Sequence, residues 1–236
     1  MKERPLVIIP AFNEAASLGV VIEGIKTAVS LADIVVVDDG STDNTGQIAL
    51  DAGAFLVRHP SNMGYGAALQ TGFGFAQKKG YVLVACLDGD GQHDPASLPG
   101  LLEPVQNNQA DIAIGSRFLG QGSYPVPKLR LAGMRLFGWL ASKIAGQRFS
   151  DPTSGFLAMN RQAIDLFYSS PHYPEDFPDA DVLILAHRAG LKITERPVRM
   201  YASAQKKSMH SGAKPLYYVF KMLLSVFLAA IRKKPF

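Results

Sequence analysis

Asp88 and Asp90 stand two residues apart with Gly89 between them, directly after the apolar run Tyr81–Leu87. Two carboxylates on a glycine-containing loop can approach one hard cation, because Mg²⁺ and Mn²⁺ prefer oxygen ligands in near-octahedral order and accept substrate phosphates to complete the shell. Gln92 offers a further neutral oxygen. An isolated Asp-Xaa-Asp more often marks a solvated acidic turn, so the pair takes its meaning from its surroundings. A calcium loop of the EF-hand type does not fit, since His93 stands where the turn glycine is required and Pro99 where the bidentate glutamate is required.

Three other loops carry groups of similar chemistry. Asp38-Asp39-Gly40-Ser41-Thr42-Asp43 follows the apolar run Ile34–Val37. Helix capping accounts for Thr42 or Asp43. It accounts less well for two consecutive acids at a strand end, so Asp39 is a candidate for hydrogen bonding to a nucleobase. Asn62-Met63-Gly64-Tyr65-Gly66 opens a helix with small residues. There Gly64 could leave main-chain amides open to an anion, or the glycines could serve a turn and close packing. Gly115-Ser116-Arg117 brings a guanidinium that could clamp a phosphate or form a surface ion pair, and Arg130 and Arg135 are further phosphate candidates.

These residues need a scaffold that delivers them to one place. The runs Leu6–Ile9, Ile34–Val37, Ala54–Val57, Tyr81–Leu87 and Ile112–Ile114 are rich in Val, Ile and Leu and are bounded by Gly, Pro, Asp and Asn. That pattern predicts buried strands separated by helices, hence an α/β fold with a mostly parallel, helix-covered sheet. Ligands of such sheets bind beyond the carboxyl ends of the strands, where Pro10-Ala11-Phe12-Asn13-Glu14 and the acidic loops all fall. The second half is less regular. Lys128–Ala145 reads as a helix, Asp151–Gly155 as a turn, and Asp179–Ala189 as a helix ending at Gly190.

The 236 residues are 47% apolar and 19% charged, which suits a folded core and excludes intrinsic disorder. We read residues 1–212 as one domain and 213–236 as an apolar helical appendage. From Pro215 to Ile231 the chain is strongly apolar, and Arg232-Lys233-Lys234 follows. The stretch is short against the roughly 20 residues of a membrane span, so it predicts an interfacial helix or an oligomer contact. The net charge of +4 gathers in this half, with Lys206, Lys207 and Lys214, and is too modest to indicate nucleic acid. Cys86 is the only cysteine, so neither an internal disulfide nor a multi-cysteine metal site is available. The charged start runs straight into a strand, and no secretory leader is expected.

Taken together, Pro10-Ala11-Phe12-Asn13-Glu14, Val37-Asp38-Asp39-Gly40-Ser41-Thr42-Asp43, Asn62-Met63-Gly64-Tyr65-Gly66, Leu87-Asp88-Gly89-Asp90-Gly91-Gln92-His93 and Gly115-Ser116-Arg117 resemble the family 2 glycosyltransferases. The likeness is greatest to the branch of dolichol-phosphate mannose synthases and bacterial polyprenyl-phosphate sugar transferases, and runs from about Leu6 to Met200. The resemblance implies a Rossmann-like GT-A fold. Pro10, Ala11, Glu14 and Asp39 would lie near the nucleoside of a UDP- or GDP-linked sugar. Asp88, Asp90 and Gln92 would face Mg²⁺ or Mn²⁺ and the diphosphate. Asp151-Pro152-Thr153-Ser154-Gly155-Phe156 and the Asp179–Asp181 region would face the acceptor, a polyprenyl phosphate or membrane-linked glycan at the cytoplasmic face of a membrane.

An inverting transfer to a sugar hydroxyl needs a base, for which Asp181 and then Asp179 are the candidates. A lipid phosphate needs none. Many relatives place an arginine after the Pro-Val strand, whereas Met200 is followed here by Tyr201-Ala202-Ser203-Ala204-Gln205-Lys206-Lys207-Ser208. Lys206 or Lys207 could supply charge, though not a planar fork. A non-catalytic nucleotide-sugar-binding partner and a sugar nucleotidyltransferase are the alternative readings.

Overall fold

The computed structural model describes residues 4–120, 138–139, 142–144, 146–171, 173–176, 178 and 180–201. Its strands and helices follow the predicted alternation. β1 (Leu6–Ala11), β2 (Asp33–Asp38) and β3 (Phe55–Arg58) are joined by α1 (Leu18–Ala28) and α2 (Thr45–Asp51). α3 (Tyr65–Lys79) leads to β4 (Leu83–Cys86), and α4 (Leu98–Gln106) to β5 (Ile112–Ser116). β6 (Leu157–Asn160), α5 (Arg161–Ser169), α6 (Ala180–Arg188) and β7 (Ile193–Pro197) complete the set.

The seven strands form one sheet in the order β3-β2-β1-β4-β6-β5-β7. β6 pairs antiparallel with both β4 and β5, and the other pairings are parallel. Sequence reasoning anticipated the mostly parallel sheet and missed β6, whose Leu-Ala-Met-Asn lacks the Val and Ile that marked the other runs. Asn160 then starts α5, its side chain accepting from Ala163 N–H (3.2 Å).

All six residues of β1 are buried, as in a central strand covered on both faces. Side chains alternate between two cores. Leu6, Ile8, Val35, Val37, Val84 and Cys86 pack with α3, α5 and α6, whereas Val7, Ile9, Val36 and Ala85 pack with α1 and α4. α1 turns Leu18, Val21, Ile22 and Ile25 inward, the spacing of one helical face. Cys86 is a core residue, as expected.

The segment after β7 crosses back to the loop that follows β4. His93 bridges Met200, Asp94 N–H donates to Arg199 O (3.1 Å), and Tyr201 N–H donates to Gln92 O (2.8 Å). Of the predicted helix Lys128–Ala145, residues 138–139 and 142–144 are helical, and the rest lies outside the described residues. Segment 213–236 lies outside them too. Among the described residues no helix is long and apolar enough to cross a membrane.

Candidate active site

The loops leaving β1, β2 and β4 interlock at the carboxyl edge of the sheet. Asn13 takes a left-handed backbone (φ 57°). Its N–H donates to Ser41 Oγ (2.9 Å) and its Oδ1 accepts from Thr42 N–H (2.9 Å). Glu14 N–H donates to Thr45 Oγ1 (2.9 Å). On the other side, Ser17 Oγ donates to Gly89 O (2.8 Å) and lies 3.1 Å from Glu14 Oε2. Gly89 rests on the end of β1, where an added Cβ would stand 3.5 Å from both Ala11 Cβ and Pro10 O. Pro10, Ala11 and Glu14 are therefore held beside Asp88-Gly89-Asp90.

Carboxylates crowd here, and their titration reflects it. Burial, reinforced by Asp90 and Asp88, pushes the Glu14 carboxyl from its usual 4.5 up to about 7. Withdrawal from solvent also raises Asp88, with Asp90 adding to the rise. Asp90 accepts Gln92 N–H at Oδ1 (2.9 Å) and the Gln92 side-chain amide at Oδ2. Tyr65 Oη donates to Asp88 Oδ1 (2.8 Å). Burial and then Asp88 hold the Tyr65 phenol well above its ordinary value, so it stays a donor. His93 accepts Asp88 N–H at Nδ1 (3.2 Å) and stacks on Phe156, centroids 4.9 Å apart. Among the described residues no three His, Cys, Asp or Glu side chains form a ready metal cluster. The oxygen donors of Asp88 and Asp90 suit a hard cation whose remaining positions come from a diphosphate and water.

Asp39 is almost fully buried. It accepts Met63 N–H (2.8 Å) and His59 Nδ1–H (2.7 Å) at Oδ1, and Gly64 N–H (2.9 Å) at Oδ2. Thr71 Oγ1 then pairs with His59 Nε2 (2.9 Å). These bonds account for part of the start of α3. The amides of Met63 and Gly64 serve Asp39, and Ala67 N–H donates to Glu175 O (3.0 Å). Those three amides are therefore not open to an anion. The glycines serve close packing instead. Gly64 has φ 105°, and a Cβ on Gly66 would lie 1.8 Å from Pro174 O.

Arg117 does not extend as a surface cation. Its Nε (2.6 Å) and backbone N–H (3.1 Å) both donate to Asp151 Oδ2, and both residues are buried. Glu195 fastens the far side of that turn, accepting Ser150 N–H and Asp151 N–H at Oε1, each at 2.9 Å. Ser154 Oγ accepts Phe156 N–H (3.3 Å) within the turn. Asp181 Oδ1 accepts Val182 N–H (2.9 Å) at the start of α6. Asp179, Arg130, Arg135, Lys206 and Lys207 lie outside the described residues.

Sequence reasoning missed His59 and Glu195 and quoted Tyr65 without assigning it a role. Tyr65 had a signal, its place inside a quoted motif. The partners of His59 and Glu195 are 20 and 44–45 residues distant, and nothing local marks such pairings.

Comparison with known proteins bears on the whole of this arrangement. Residues 6–167 match the model for glycosyl transferase family 2. The chain is 31% identical over 228 residues to a polyprenol monophosphomannose synthase of Mycolicibacterium smegmatis, covering 93% of this chain and 86% of that one. It is 31% identical over 225 residues to an undecaprenyl-phosphate mannosyltransferase of Micrococcus luteus, covering 89% and 88%. Its fold matches glucosyl-3-phosphoglycerate synthase of Mycobacterium tuberculosis in complex with Mn²⁺, UDP and phosphoglyceric acid. That match has a TM-score of 0.74 at 22% identity, covering 97% of this chain and 78% of that one.

Proposed function

Since this chain belongs to glycosyl transferase family 2, we propose that it moves a sugar from a UDP- or GDP-linked donor to a polyprenyl phosphate, with inversion at the anomeric carbon. The observation that carries the reading is the convergence of Glu14, Asp88 and Asp90 on one sheet edge, joined through Ser17 and Gly89. Relatives named for polyprenol and undecaprenyl phosphate support the choice of acceptor.

Asp88 and Asp90, with Gln92, would hold Mg²⁺ or Mn²⁺, and Pro10, Ala11, Glu14 and Asp39 would line the nucleoside side. A carboxylate has about four acceptor positions, and three at Asp39 are filled, which leaves Oδ2 one for a base N–H. Held by Asp88 and Asp90, the cation would offset the charge that develops on the departing diphosphate. The bond from the anomeric carbon to the diphosphate breaks as one forms to an acceptor phosphate oxygen from the opposite face. That oxygen is already anionic, so no proton has to be collected. The engagement of Asp181 with its own helix start supports this route over transfer to a hydroxyl, which would need Asp181 or Asp179 as a base.

We assign segment 213–236 to contact with the cytoplasmic face of a membrane. Lys207, Arg130 and Ser154 are assigned to the acceptor side, with Arg117 holding that side through Asp151. The test is incubation of the full chain with a panel of nucleotide sugars, a polyprenyl phosphate and Mn²⁺ or Mg²⁺, read by mass spectrometry. One hexose-type mass should appear on the lipid, and Asp90→Ala should lower turnover by about a hundredfold or more. Equal turnover by Asp90→Ala would reject the metal assignment, and pyrophosphate release from a nucleoside triphosphate would replace transfer by nucleotidyl chemistry.

A further inference from the structure

Resting on the reading of Asp88 as a cation and diphosphate ligand, we propose that Tyr65 is a positioning residue that fixes the Asp88 carboxylate, and that Gly155 keeps the space its hydroxyl occupies. Asp88 stands on a loop with Gly89 and Gly91, and a short side chain on such a loop has rotamers to choose from. Tyr65 Oη donates to Oδ1 at 2.8 Å, pinning one oxygen and so setting the direction of the other.

Tyr65 is itself anchored. It is the first residue of α3, between Gly64 and Gly66, which pack directly on the carbonyls of Glu175 and Pro174. A Cβ on Gly155 would come within 2.5 Å of Tyr65 Oη and 3.6 Å of Asp88 Oδ1. The turn on the acceptor side therefore touches the same hydroxyl that orients the donor-side carboxylate. A hydroxyl in this place acts on the ligand's geometry without touching the donor itself, as the outer partners of metal ligands commonly do.

The full chain is titrated with Mn²⁺ in the presence of UDP, and separately of GDP, by calorimetry, with thermal melts as a control. Tyr65→Phe should weaken Mn²⁺ binding by about 10- to 100-fold while the melting temperature stays near that of the wild type. Gly155→Ala should weaken binding similarly, because the new methyl displaces the hydroxyl. In the double variant the methyl no longer meets an oxygen, so the two losses should not add. Wild-type binding by Tyr65→Phe alongside loss in Asp88→Ala overturns the positioning role and leaves the metal reading intact. Losses that add in the double variant overturn it as well. Wild-type binding by both Asp88→Ala and Asp90→Ala removes the reading and the inference together.

Discussion

Glu14 carries its proton into a pH range where an ordinary glutamate has lost it. Burial is the main cause, and Asp90 and Asp88 add to it. The sign of the stability effect follows from which state binds the proton more tightly. Between the unfolded value of 4.5 and the folded value of about 7, the native state holds the proton and the unfolded chain does not. Stability from this group is full below 4.5 and is lost as pH rises through about 7. Without divalent cations, Glu14→Gln should therefore raise the melting temperature at pH 8 and leave it nearly unchanged at pH 4. Thermal melts in chelator across that range check this, and equal shifts at both ends would show that Glu14 titrates normally. Asp39, also buried, is held in place by donors from His59, Met63 and Gly64.

Among elements, β7 does more than complete the sheet. Glu195 lies on it and accepts from both backbone amides of Ser150 and Asp151, and Asp151 in turn accepts from Arg117 after β5. Three segments distant in sequence are thereby locked into one wall. Removing the acceptor leaves two amides to find other partners, and hydrogen bonds to a charged group contribute about 1.5–3 kcal/mol each at most sites. Glu195→Ala should cost about 3 kcal/mol or more in denaturant unfolding, with Glu195→Gln recovering part of it because a neutral carbonyl still accepts. An unchanged midpoint in Glu195→Ala would show that the turn holds without β7.

At the scale of the whole molecule, charged and apolar residues are unevenly spread along the sequence. The described body is a doubly covered sheet, and the lysines and arginines of the far C-terminal part follow it. Each basic residue near an anionic bilayer contributes about 1 kcal/mol, an attraction that salt screens over roughly a Debye length. The full chain should co-sediment with phosphatidylglycerol vesicles more than with phosphatidylcholine vesicles. Replacing Arg232, Lys233 and Lys234 by Gln should reduce that preference, as should raised salt. Sedimentation indifferent to both changes would assign segment 213–236 to contact between protein chains.

Much of this was legible in the sequence. Short Val- and Ile-rich runs separated by amphipathic stretches specify parallel strands covered by helices, because burial on both faces of a strand demands that composition. The acids after Ile34–Val37 and Tyr81–Leu87 follow from the same logic, since residues just past strand ends must lie at one edge. The tertiary structure alone decided how those groups are used. It turned Arg117 onto Asp151, gave the amides beside Gly64 to Asp39, brought Tyr65 to Asp88 and inserted β6 antiparallel between β4 and β5. The physical reason is that a hydrogen bond or ion pair depends on ångström-scale approach between residues tens of positions apart. Local composition sets which residues reach the edge of the sheet, and the packing of α3, β7 and the 174–176 segment sets which of them meet.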